Sequence, residues 1–484
     1  MRYIKLSCNS FIRVPHGENY GYIVNQLSKI DRLYNNIGAD FLSELSRKPQ
    51  TVEEIVNRLL PQYHDVDYKT LLNDYNEFID DLTNNGFVVE ADNYEDVENE
   101  NDAFSYDIED PKTSKYAFVQ STTDNDTTST QQRMNQINLK HPTLWSIQVE
   151  ITGKCNERCI HCYIPDSFKE QGVHMPLSNF KNLIDEFAMM GGLYITLTGG
   201  EALMHKDFPT MLRYCREKDL QITVLSNLMS LTDDIVRVMK EVNVNMVNVS
   251  LYSVSPPVHD SITRVKGSCE KTMRAIEKLR ENDVPVQISC PILKENKDCF
   301  LDVMMYAKSL KTKANVDYNI VSQKNKDTSN LSHRVSLYDI RKVISTIIEN
   351  NSQYTRFLEE TPLDVSKTDL ASYPCGAALS ILNIGSTGDV TPCATWNMSL
   401  GNVFKTSLRD VWDNSDVIKK LRKITFTDFP QCQNCEASEY CTICMAKNYS
   451  ESNNYLSPNK YFCEIAHINM QVANEWRKAN DTYH

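Results

Sequence analysis

Three closely spaced cysteines offer the most distinctive chemistry in this sequence. They follow the pattern Cys155-x3-Cys159-x2-Cys162. Thiolates ligate iron-sulfur clusters, and three of them around a four-iron cubane leave one iron without a protein ligand, free to bind and activate a small molecule. A structural zinc site is the alternative, since cysteines two residues apart are also typical of zinc ligands. No second such pair follows at zinc-finger spacing and His161 lies between two of the cysteines, so the pattern favours iron.

A strand and a glycine turn follow these cysteines. Residues 193–198 form an apolar, β-branched run typical of a buried parallel strand, and the run ends in Gly199-Gly200-Glu201. Glycine lets the backbone approach a ligand closely. The Glu201 carboxylate can accept hydrogen bonds from an ammonium group. We therefore expect a ligand site where this strand ends.

Together, the cysteines and the Gly-Gly-Glu turn resemble the motifs of the radical S-adenosylmethionine (SAM) superfamily. The resemblance implies a 4Fe-4S cluster on the three cysteines, with SAM bound at the open iron and cleaved to a 5'-deoxyadenosyl radical. It also implies that the glycine turn holds the amino group of SAM. Ala202 is a mild departure, because the family usually has proline there.

Alternating strand and helix patterns surround these motifs. Helical periodicity separates the strand-like runs, as at 233–242 and 270–281. The runs predict six strands, at 145–152, 193–198, 221–227, 246–252, 284–293 and 316–322. We expect an α/β fold with a partial (β/α)6 TIM-type barrel, whose ligand site lies at the carboxyl ends of the strands.

Polar residues at these strand ends are candidate SAM contacts. Ser226, Asn227 and Ser250 place side-chain oxygens where the ribose or the methionine carboxylate would lie. The stretch that follows Ser250 looks like the corresponding segment of radical SAM peptide maturases, which implies that Arg264 contacts the SAM carboxylate. The resemblance also implies that Tyr163, the aromatic residue after the third cysteine, packs on the adenine. No catalytic residue beyond the SAM cluster is identified.

A second group of seven cysteines lies toward the C-terminus. Disulfides are disfavoured because the chain opens without a secretory signal and an iron-sulfur cluster would not survive oxidising conditions. Two zinc sites are the alternative to clusters. The spacing is Cys375-x12-Gly388-x4-Cys393, then Cys432-x2-Cys435-x5-Cys441-x2-Cys444, and finally Cys463.

This spacing resembles the SPASM extension, an auxiliary-cluster domain of radical SAM enzymes that modify peptides and proteins. The resemblance implies two auxiliary 4Fe-4S clusters, which makes three clusters with the one that binds SAM. Cys375, Cys393 and Cys444 would hold one cluster, with its last iron left open or filled by an unidentified ligand. The other cluster would be held by the remaining four, Cys432, Cys435, Cys441 and Cys463.

Two departures from the SPASM pattern matter. The final Cys-x2-Cys pair has two intervening residues where three are usual, which weakens the division of Cys441 and Cys444 between the two clusters. Ala394 follows Cys393 where sulfatase-maturing relatives carry an aspartate thought to act as a base. Its absence argues against formylglycine formation.

The N-terminal part predicts a small winged-helix plan. The patterns are strands at 3–6, 11–14 and 87–90, helices at 37–45 and 68–82, and a capping box of Thr51 and Glu54 ahead of a further helix. A winged helix often binds nucleic acid, but no basic stripe accompanies this one and the formal net charge is -13. Next to a radical SAM core, the unit resembles the PqqD-like element that recognises leader peptides in pathways of ribosomally synthesised and post-translationally modified peptides (RiPPs). Such elements add the leader as a strand to a sheet edge.

Composition divides the chain into four parts. We expect the recognition element at 1–91, a linker at 92–140, the radical SAM core at 141–355 and the SPASM domain at 356–484. Nine carboxylates without Lys or Arg at 92–110, and a Ser/Thr-rich run at 121–132, predict a flexible linker. No apolar stretch is long enough to cross a bilayer. Cysteine usage and the acidic balance indicate the cytoplasm, with neither nucleic acid nor membrane as a partner.

The resemblance implies an enzyme that matures a precursor peptide bound through its leader, with flavodoxin or ferredoxin as a reducing donor. Such a precursor is usually encoded beside the maturase gene. An open auxiliary iron could hold a cysteine thiolate, which favours a Cys thioether crosslink of the sactipeptide or ranthipeptide type. The alternatives are a C–C or C–O crosslink between side chains, an epimerase, a protein maturase and a non-catalytic leader-binding scaffold.

Overall fold

The computed structural model describes residues 2–15, 19–99, 130–350 and 373–480, together with residues 355 and 358. These residues form an N-terminal unit, a parallel α/β core and a C-terminal extension. The middle of the predicted linker, residues 100–129, lies outside the described residues.

The N-terminal unit has two small antiparallel sheets beside three helices. The sheets have the strand orders β5-β1-β6 and β2-β3-β4. The elements are β1 (Tyr3–Leu6), β2 (Ser10–Arg13), β3 (Tyr20–Asn25), β4 (Asp31–Asn35), α1 (Ile37–Ser43), β5 (Gln50–Thr51), α2 (Val52–Leu59), α3 (Tyr68–Asn84) and β6 (Val88–Ala91).

Local sequence signals account for much of this unit. The capping box forms as predicted, because the Thr51 hydroxyl accepts from the Glu54 N–H and the Glu54 carboxylate accepts from the Thr51 N–H. The apolar faces of α2 and α3 meet in a core with Ile55 and Ile79 fully buried. The hairpin of β3 and β4 was not predicted, since all six residues of β3 are buried and show no alternation of polar and apolar side chains.

Helices occupy both described ends of the predicted linker, which corrects the expectation of a flexible segment there. Helix α4 (Tyr94–Asn99) packs beside β1 and β6 with Val97 fully buried. Helix α5 (Thr130–Lys140) buries Met134, and Asn138 accepts a hydrogen bond from the Trp145 indole at 3.0 Å. In each helix, one buried apolar side chain provides the packing contact. The number of charged and polar residues, on which the linker prediction rested, does not reveal such a side chain.

The core alternates strands and helices along the chain. Its strands are β7 (Ser146–Thr152), β8 (Tyr194–Gly199), β9 (Gln221–Ser226), β10 (Met246–Ser250), β11 (Val286–Pro291) and β12 (Lys313–Asp317). Its helices are α6 (Asp166–Gln171), α7 (Leu177–Met189), α8 (Phe208–Glu217), α9 (Asp233–Glu241), α10 (Pro256–Thr263), α11 (Ser268–Glu281), α12 (Phe300–Ser309) and α13 (Leu337–Asn350).

The C-terminal extension continues the sheet of the core. It contains β13 (Ile381–Ile384), β14 (Asp389–Thr391), β15 (Gly401–Asn402), α14 (Leu408–Asn414), α15 (Asp416–Leu421), α16 (Met445–Ser452) and α17 (Lys460–Ala479). β13 pairs with β7 in parallel, and β14 and β15 follow antiparallel.

The nine strands run in the order β12-β11-β10-β9-β8-β7-β13-β14-β15. The six predicted strands are therefore adjacent and parallel, as the (β/α)6 plan requires. The last of them needs a correction: β12 spans 313–317 rather than 316–322. The apolar signal at Ile320 comes from a loop, where this side chain packs with Tyr252 and Leu293. Among the described residues, no helix has the length and apolar character needed to cross a membrane.

Hydrogen bonds fix the N-terminal unit to the core. The Arg13 guanidinium donates to the carbonyls of Gly192 at 2.8 Å and Asp219 at 2.6 Å. The Arg47 guanidinium donates to the Asp219 carboxylate at 2.8 Å. Asp219 follows α8, so two arginines of the N-terminal unit converge on the end of one core helix.

Candidate functional site

The first three cysteines lie on the loop between β7 and α6, at the carboxyl end of the sheet. The loop is held by backbone hydrogen bonds, because the N–H groups of Arg158 and Ile160 donate to the carbonyls of Thr263 and Ile262, each at 3.0 Å. The Tyr252 hydroxyl lies 3.7 Å from the Cys159 sulfur. The cysteine loop is thus tied to the end of α10.

A buried ammonium group lies near all three thiols. The Lys169 side chain on α6 is only 2% exposed. Burial lowers its pKa, but the neighbouring Cys162, Cys159 and Cys155 sulfurs raise it more, so the net shift is upward. Sequence analysis missed Lys169, since a lysine on a short amphipathic helix carries no signal of burial.

The donor set fits an iron-sulfur cluster. Burial raises the pKa of the Cys155 thiol to about 12 and that of Cys159 well above its ordinary value. Thiols in such an environment become thiolates when a metal supplies the compensating positive charge. The Lys169 ammonium adds further positive charge beside them, which suits an anionic cluster.

The glycine turn lies directly against the cysteine loop. The Gly200 N–H donates to the Thr152 carbonyl at 2.7 Å, and the Glu201 N–H donates to the Lys154 carbonyl at 2.8 Å. A Cβ on Gly199 would lie 2.2 Å from the Thr152 oxygen, and one on Gly200 would lie 2.4 Å from the Lys154 oxygen. The glycines therefore permit a close approach between two backbone segments, where sequence analysis expected an approach to a ligand.

Glu201 is the centre of a buried hydrogen-bond network. Its carboxylate accepts from the Ser226 hydroxyl at 2.6 Å, from the Asn227 N–H at 2.7 Å and from the Leu203 N–H at 3.0 Å. Burial raises the pKa of Glu201, and these donors oppose the rise. Ser226 and Asn227, which were predicted to contact SAM, therefore hold the Glu201 carboxylate in place at the strand ends.

The other predicted SAM contacts lie apart from this network. Ser250 ends β10 and is half-buried, and Arg264 ends α10 with an exposed side chain and a left-handed backbone, φ +59°. Burial raises the pKa of Tyr163, and the nearby Glu150, Cys162 and Cys393 raise it further. Tyr163 therefore lies between the first cysteine group and a cysteine of the second.

The seven C-terminal cysteines fall into two spatial sets. Four of them line a cavity of about 530 Å³, and burial together with the other three thiols raises the pKa of Cys441 to about 11. The remaining three influence one another, since Cys393 and Cys444 both raise the pKa of Cys375 after the effect of burial. These are the two sets that the SPASM resemblance implied, and the structure places Cys441 and Cys444 in different sets.

The arrangement of the four thiols bears on the zinc alternative. In the part of the chain that the structure describes, no three His, Cys, Asp or Glu side chains converge closely enough to hold one metal ion. The four thiols instead surround a cavity that is large enough for a multi-iron cluster. Ligation by individual cysteines remains a prediction.

Models of three protein families match the chain. The radical SAM superfamily matches residues 149–307, the SPASM iron-sulfur cluster-binding domain matches 375–436, and coenzyme PQQ synthesis protein D (PqqD) matches 33–88. The chain therefore contains a radical SAM domain. It is a radical SAM enzyme with a SPASM domain and a PqqD-like domain, and members of these families use SAM and iron-sulfur clusters.

Relatives of this radical SAM enzyme have several activities. It is 26% identical to the AdoMet-dependent heme synthase of Methanosarcina barkeri over 332 residues, 64% of this chain and 94% of the relative. It is 27% identical to the antilisterial bacteriocin subtilosin biosynthesis protein AlbA of Bacillus subtilis over 326 residues, 64% of this chain and 69% of AlbA.

Solved structures share the fold. Streptococcus suis SuiB bound to its precursor peptide SuiA superposes with a TM-score of 0.64 at 16% identity, covering 96% of this chain and 100% of SuiB. The structure of anSMEcpe with bound AdoMet and the Cp18Cys peptide superposes with a TM-score of 0.55 at 16% identity, covering 70% of this chain and 98% of that one.

Proposed function

We propose that this radical SAM enzyme modifies a ribosomally synthesised precursor peptide. One observation carries the proposal: a PqqD-like unit is docked on a radical SAM core that continues into a second cysteine-rich domain. The likeness to SuiB, which extends over 96% of the chain, and the similarity to AlbA support it. The heme synthase matches the same 64% of the chain as AlbA, so the PqqD-like domain, rather than this coverage, favours a peptide substrate over a role in heme synthesis.

The residues of the core would have separate roles. S-adenosylmethionine bound at the open iron would supply the radical that removes hydrogen from the substrate. Cys155, Cys159 and Cys162 would hold that cluster. The Glu201 network would fix the SAM amino group, and Tyr163, Ser250 and Arg264 are the remaining SAM contacts in this proposal. Lys169 would balance the negative charge.

The leader would bind the N-terminal unit at the edge strand β4. The opposite edge of that sheet, β2, faces the core through Arg13, whereas β4 pairs in the described sheet with β3 alone. Beside β4, the Tyr34 ring packs edge-on against Phe78 of α3 at a centroid distance of 5.1 Å. An extended peptide can pair with such an edge and place side chains on the neighbouring aromatic surface.

The modification is proposed to be a Cys thioether. Two auxiliary clusters would lie on the two cysteine sets, and the three-cysteine set would leave an iron able to hold a substrate thiolate. C–C and C–O crosslinks are the near alternatives, and epimerisation or maturation of a protein partner is a more distant one. Flavodoxin or ferredoxin is the proposed electron donor, and the cytoplasm is the proposed location.

The test is a mass measurement on the precursor. The reconstituted, reduced enzyme would be incubated with SAM and the Cys-containing precursor encoded beside its gene. A thioether requires the loss of two hydrogens together with fewer alkylatable thiols. An unchanged thiol count with the same mass loss would show a C–C or C–O crosslink instead, and an unchanged mass with deuterium uptake from solvent would show epimerisation. Heme formation from a porphyrin precursor, without peptide modification, would overturn the proposal.

The leader site has its own test. A fluorescent precursor should bind the full chain, and a version without its leader should bind at least about tenfold more weakly, since it loses the main-chain pairing to β4. Equal affinity of the two peptides would exclude leader recognition.

A further inference from the structure

A small cavity lies where the carboxyl ends of β7 and β8 meet the β13–β14 hairpin. Thr152 and Gly200 line it from the core, and Asn383 and Thr391 line it from the hairpin. Its volume is about 150 Å³. Because a cavity of that size holds a molecule about as large as benzene, this one fits a single side chain.

The cavity lies between the two proposed cluster sites. Gly200 of the proposed SAM site lines it, and so does Thr391, whose hydroxyl donates to the Cys393 carbonyl at 3.1 Å. The Tyr163 carbonyl accepts a hydrogen bond from the Lys324 N–H at 2.8 Å. Asn397, which lies four residues after Cys393, donates to the Lys324 carbonyl and lines the cavity. A side chain in the cavity would therefore lie between the SAM site and the three-cysteine set.

An ion pair forms part of the cavity wall. The Lys324 ammonium lies 2.5 Å from a Glu150 carboxylate oxygen, and the two side chains are 15% and 11% exposed. The ammonium also lies 5.5 Å from the centre of the Tyr163 ring. Removing two charges from water costs several kcal/mol per ion, so a pair at this depth is weak evidence for a stabilising role and favours a functional one.

An unsatisfied amide marks the opposite wall. Asn383 is 2% exposed and donates through Nδ2 to the Thr391 hydroxyl at 3.1 Å, but its Oδ1 accepts no hydrogen bond. An unpaired buried acceptor costs about 1–3 kcal/mol. A peptide N–H that enters with the substrate would satisfy it.

We propose that this cavity receives the reacting thiol side chain of the precursor and that Glu150 accepts the thiol proton. The inference rests on the proposed function, since it assigns a residue to the bond-forming step. Glu150 would supply the carboxylate that is absent at Ala394, because it lines a cavity that Thr391 and Asn397, close to Ala394 in sequence, also line. Lys324 would then exchange one anionic partner, the Glu150 carboxylate, for another, the substrate thiolate.

The step balances as follows for a thioether. A C–H bond of the precursor breaks homolytically, and the hydrogen atom leaves in 5'-deoxyadenosine. The thiol S–H proton passes to Glu150, and sulfur keeps the electron pair as a thiolate, which the Lys324 ammonium holds until it binds the open iron of the three-cysteine set. The C–S bond forms between this sulfur and the carbon radical. One electron remains, and the auxiliary iron-sulfur cluster that Cys375, Cys393 and Cys444 would hold would accept it as the oxidant.

Glu150→Gln, which is isosteric and uncharged, tests the assignment in the full holoenzyme with the same Cys-containing precursor. At pH 7 we expect crosslinking to fall at least 100-fold, while 5'-deoxyadenosine formation stays within about threefold of wild type. SAM and precursor affinities, measured on the unreduced enzyme, should stay within about twofold. At pH 9 crosslinking should recover at least tenfold, because a free thiol with a pKa near 8.5 then ionises without a base. A merely structural role would produce no such recovery.

Two further variants complete the design. Lys324→Met should also uncouple SAM cleavage from crosslinking, but without recovery at pH 9 because no cation holds the thiolate. Glu241→Gln removes a carboxylate from a surface pair with Arg213 and should behave as wild type. Unchanged crosslinking in Glu150→Gln overturns the inference, and so does a tenfold loss of SAM affinity, which would place the pair in the SAM site. Failure of the wild type to modify the precursor overturns the proposed function, and the inference with it.

Discussion

The Ser226 hydroxyl donates a 2.6 Å hydrogen bond to the Glu201 carboxylate, which joins the ends of two neighbouring strands. Ser226→Ala would remove one donor from a buried carboxylate that is proposed to face the SAM amino group. A hydrogen bond to a charged group contributes about 1.5–3 kcal/mol, so the dissociation constant for SAM should rise about tenfold or more. Equilibrium titration of the unreduced enzyme measures it. Ser309→Ala, on the exposed face of α12, is the control, and an affinity within twofold of wild type for Ser226→Ala would contradict the expectation.

The contact between the glycine turn and the cysteine loop predicts a second outcome. In Gly200→Ala the new methyl group would lie 2.4 Å from the Lys154 oxygen and 2.5 Å from the Gly153 oxygen, and both are backbone atoms. Relief requires a backbone shift, so we expect a destabilisation of about 1–3 kcal/mol and loss of SAM binding. In Gly385→Ala the nearest atom would be 3.7 Å away, which makes it the matched control. Normal SAM affinity in Gly200→Ala would show that the loop can move freely.

The division of the C-terminal cysteines predicts a pattern of iron loss. Three cubanes give about twelve irons, and removing two ligands of one cubane should cost about four. We therefore expect about eight irons after Cys432→Ala with Cys441→Ala and about eight after Cys375→Ala with Cys444→Ala, because each pair removes two ligands of one set, and about four after all four changes together. Iron and sulfide analysis of the reconstituted protein measures this.

The same analysis contains its own controls. Changing Cys155, Cys159 and Cys162 together should leave about eight irons, and Cys8→Ala should leave all twelve or so. Zinc in place of iron at the C-terminal cysteines would refute the cluster assignment. About eight irons after all four C-terminal changes together would place these four cysteines in one set.

The ion pairs of Asp219 allow a prediction about how firmly the N-terminal unit is held to the core. Its carboxylate lies 2.7 Å from the Arg47 guanidinium and 4.0 Å from that of Arg13, and about a third of its side chain is exposed. Asp219→Asn keeps a residue that tolerates the left-handed backbone, φ +54°, and removes only the charge. Solvent screening limits the expected loss to about 1 kcal/mol. We expect faster proteolysis between the N-terminal unit and the core.

Asp283→Asn is the matched control for this charge removal. Asp283 also follows a core helix with a left-handed backbone, φ +57°, and pairs with Lys240 at 3.6 Å. Its ion-pair partner belongs to the core rather than to the N-terminal unit, so its substitution should leave the proteolysis rate unchanged. Equal rates for the two variants would mean that the charge of Asp219 does not hold the domains together.

His259 predicts a pH dependence of stability. Burial lowers its pKa to about 4, and its Nδ1 accepts the Tyr252 N–H at 3.2 Å. The folded state favours the neutral imidazole of His259. The stability that this group contributes is therefore present above about pH 6.5 and is lost as the pH falls toward 4. Between pH 7 and 5.5 the free energy of unfolding should fall by about 1 kcal/mol from this group.

The measurement is chemical denaturation at both pH values. His259→Gln should be less stable than wild type at pH 7 but should lose about 1 kcal/mol less on acidification, since other groups titrate alike in both proteins. His141→Gln, at an exposed position, should show the wild-type pH dependence. An unchanged pH dependence in His259→Gln would mean that His259 is already charged in the folded protein.

Local sequence patterns determined much of the fold and of the family resemblances of this protein. The six parallel strands of the core, the capping box at Thr51 and the radical SAM, SPASM and PqqD-like resemblances all follow from residues close together in the sequence, and the structure or the family matches confirm them. Metal-binding motifs are short because neighbouring residues on one loop can share a site, so their spacing is visible without the fold.

Tertiary structure decided what depends on distant contacts. Glu150 and Lys324 are 174 residues apart in the sequence, and only the parallel sheet and the loop after β12 bring their side chains together. The pairing of β13 with β7, the burial of Lys169 and the helices at the linker ends were likewise invisible. Sequence periodicity reports which face of an element is apolar, but not which distant element covers that face, because pairing and burial depend on the packing of the whole chain.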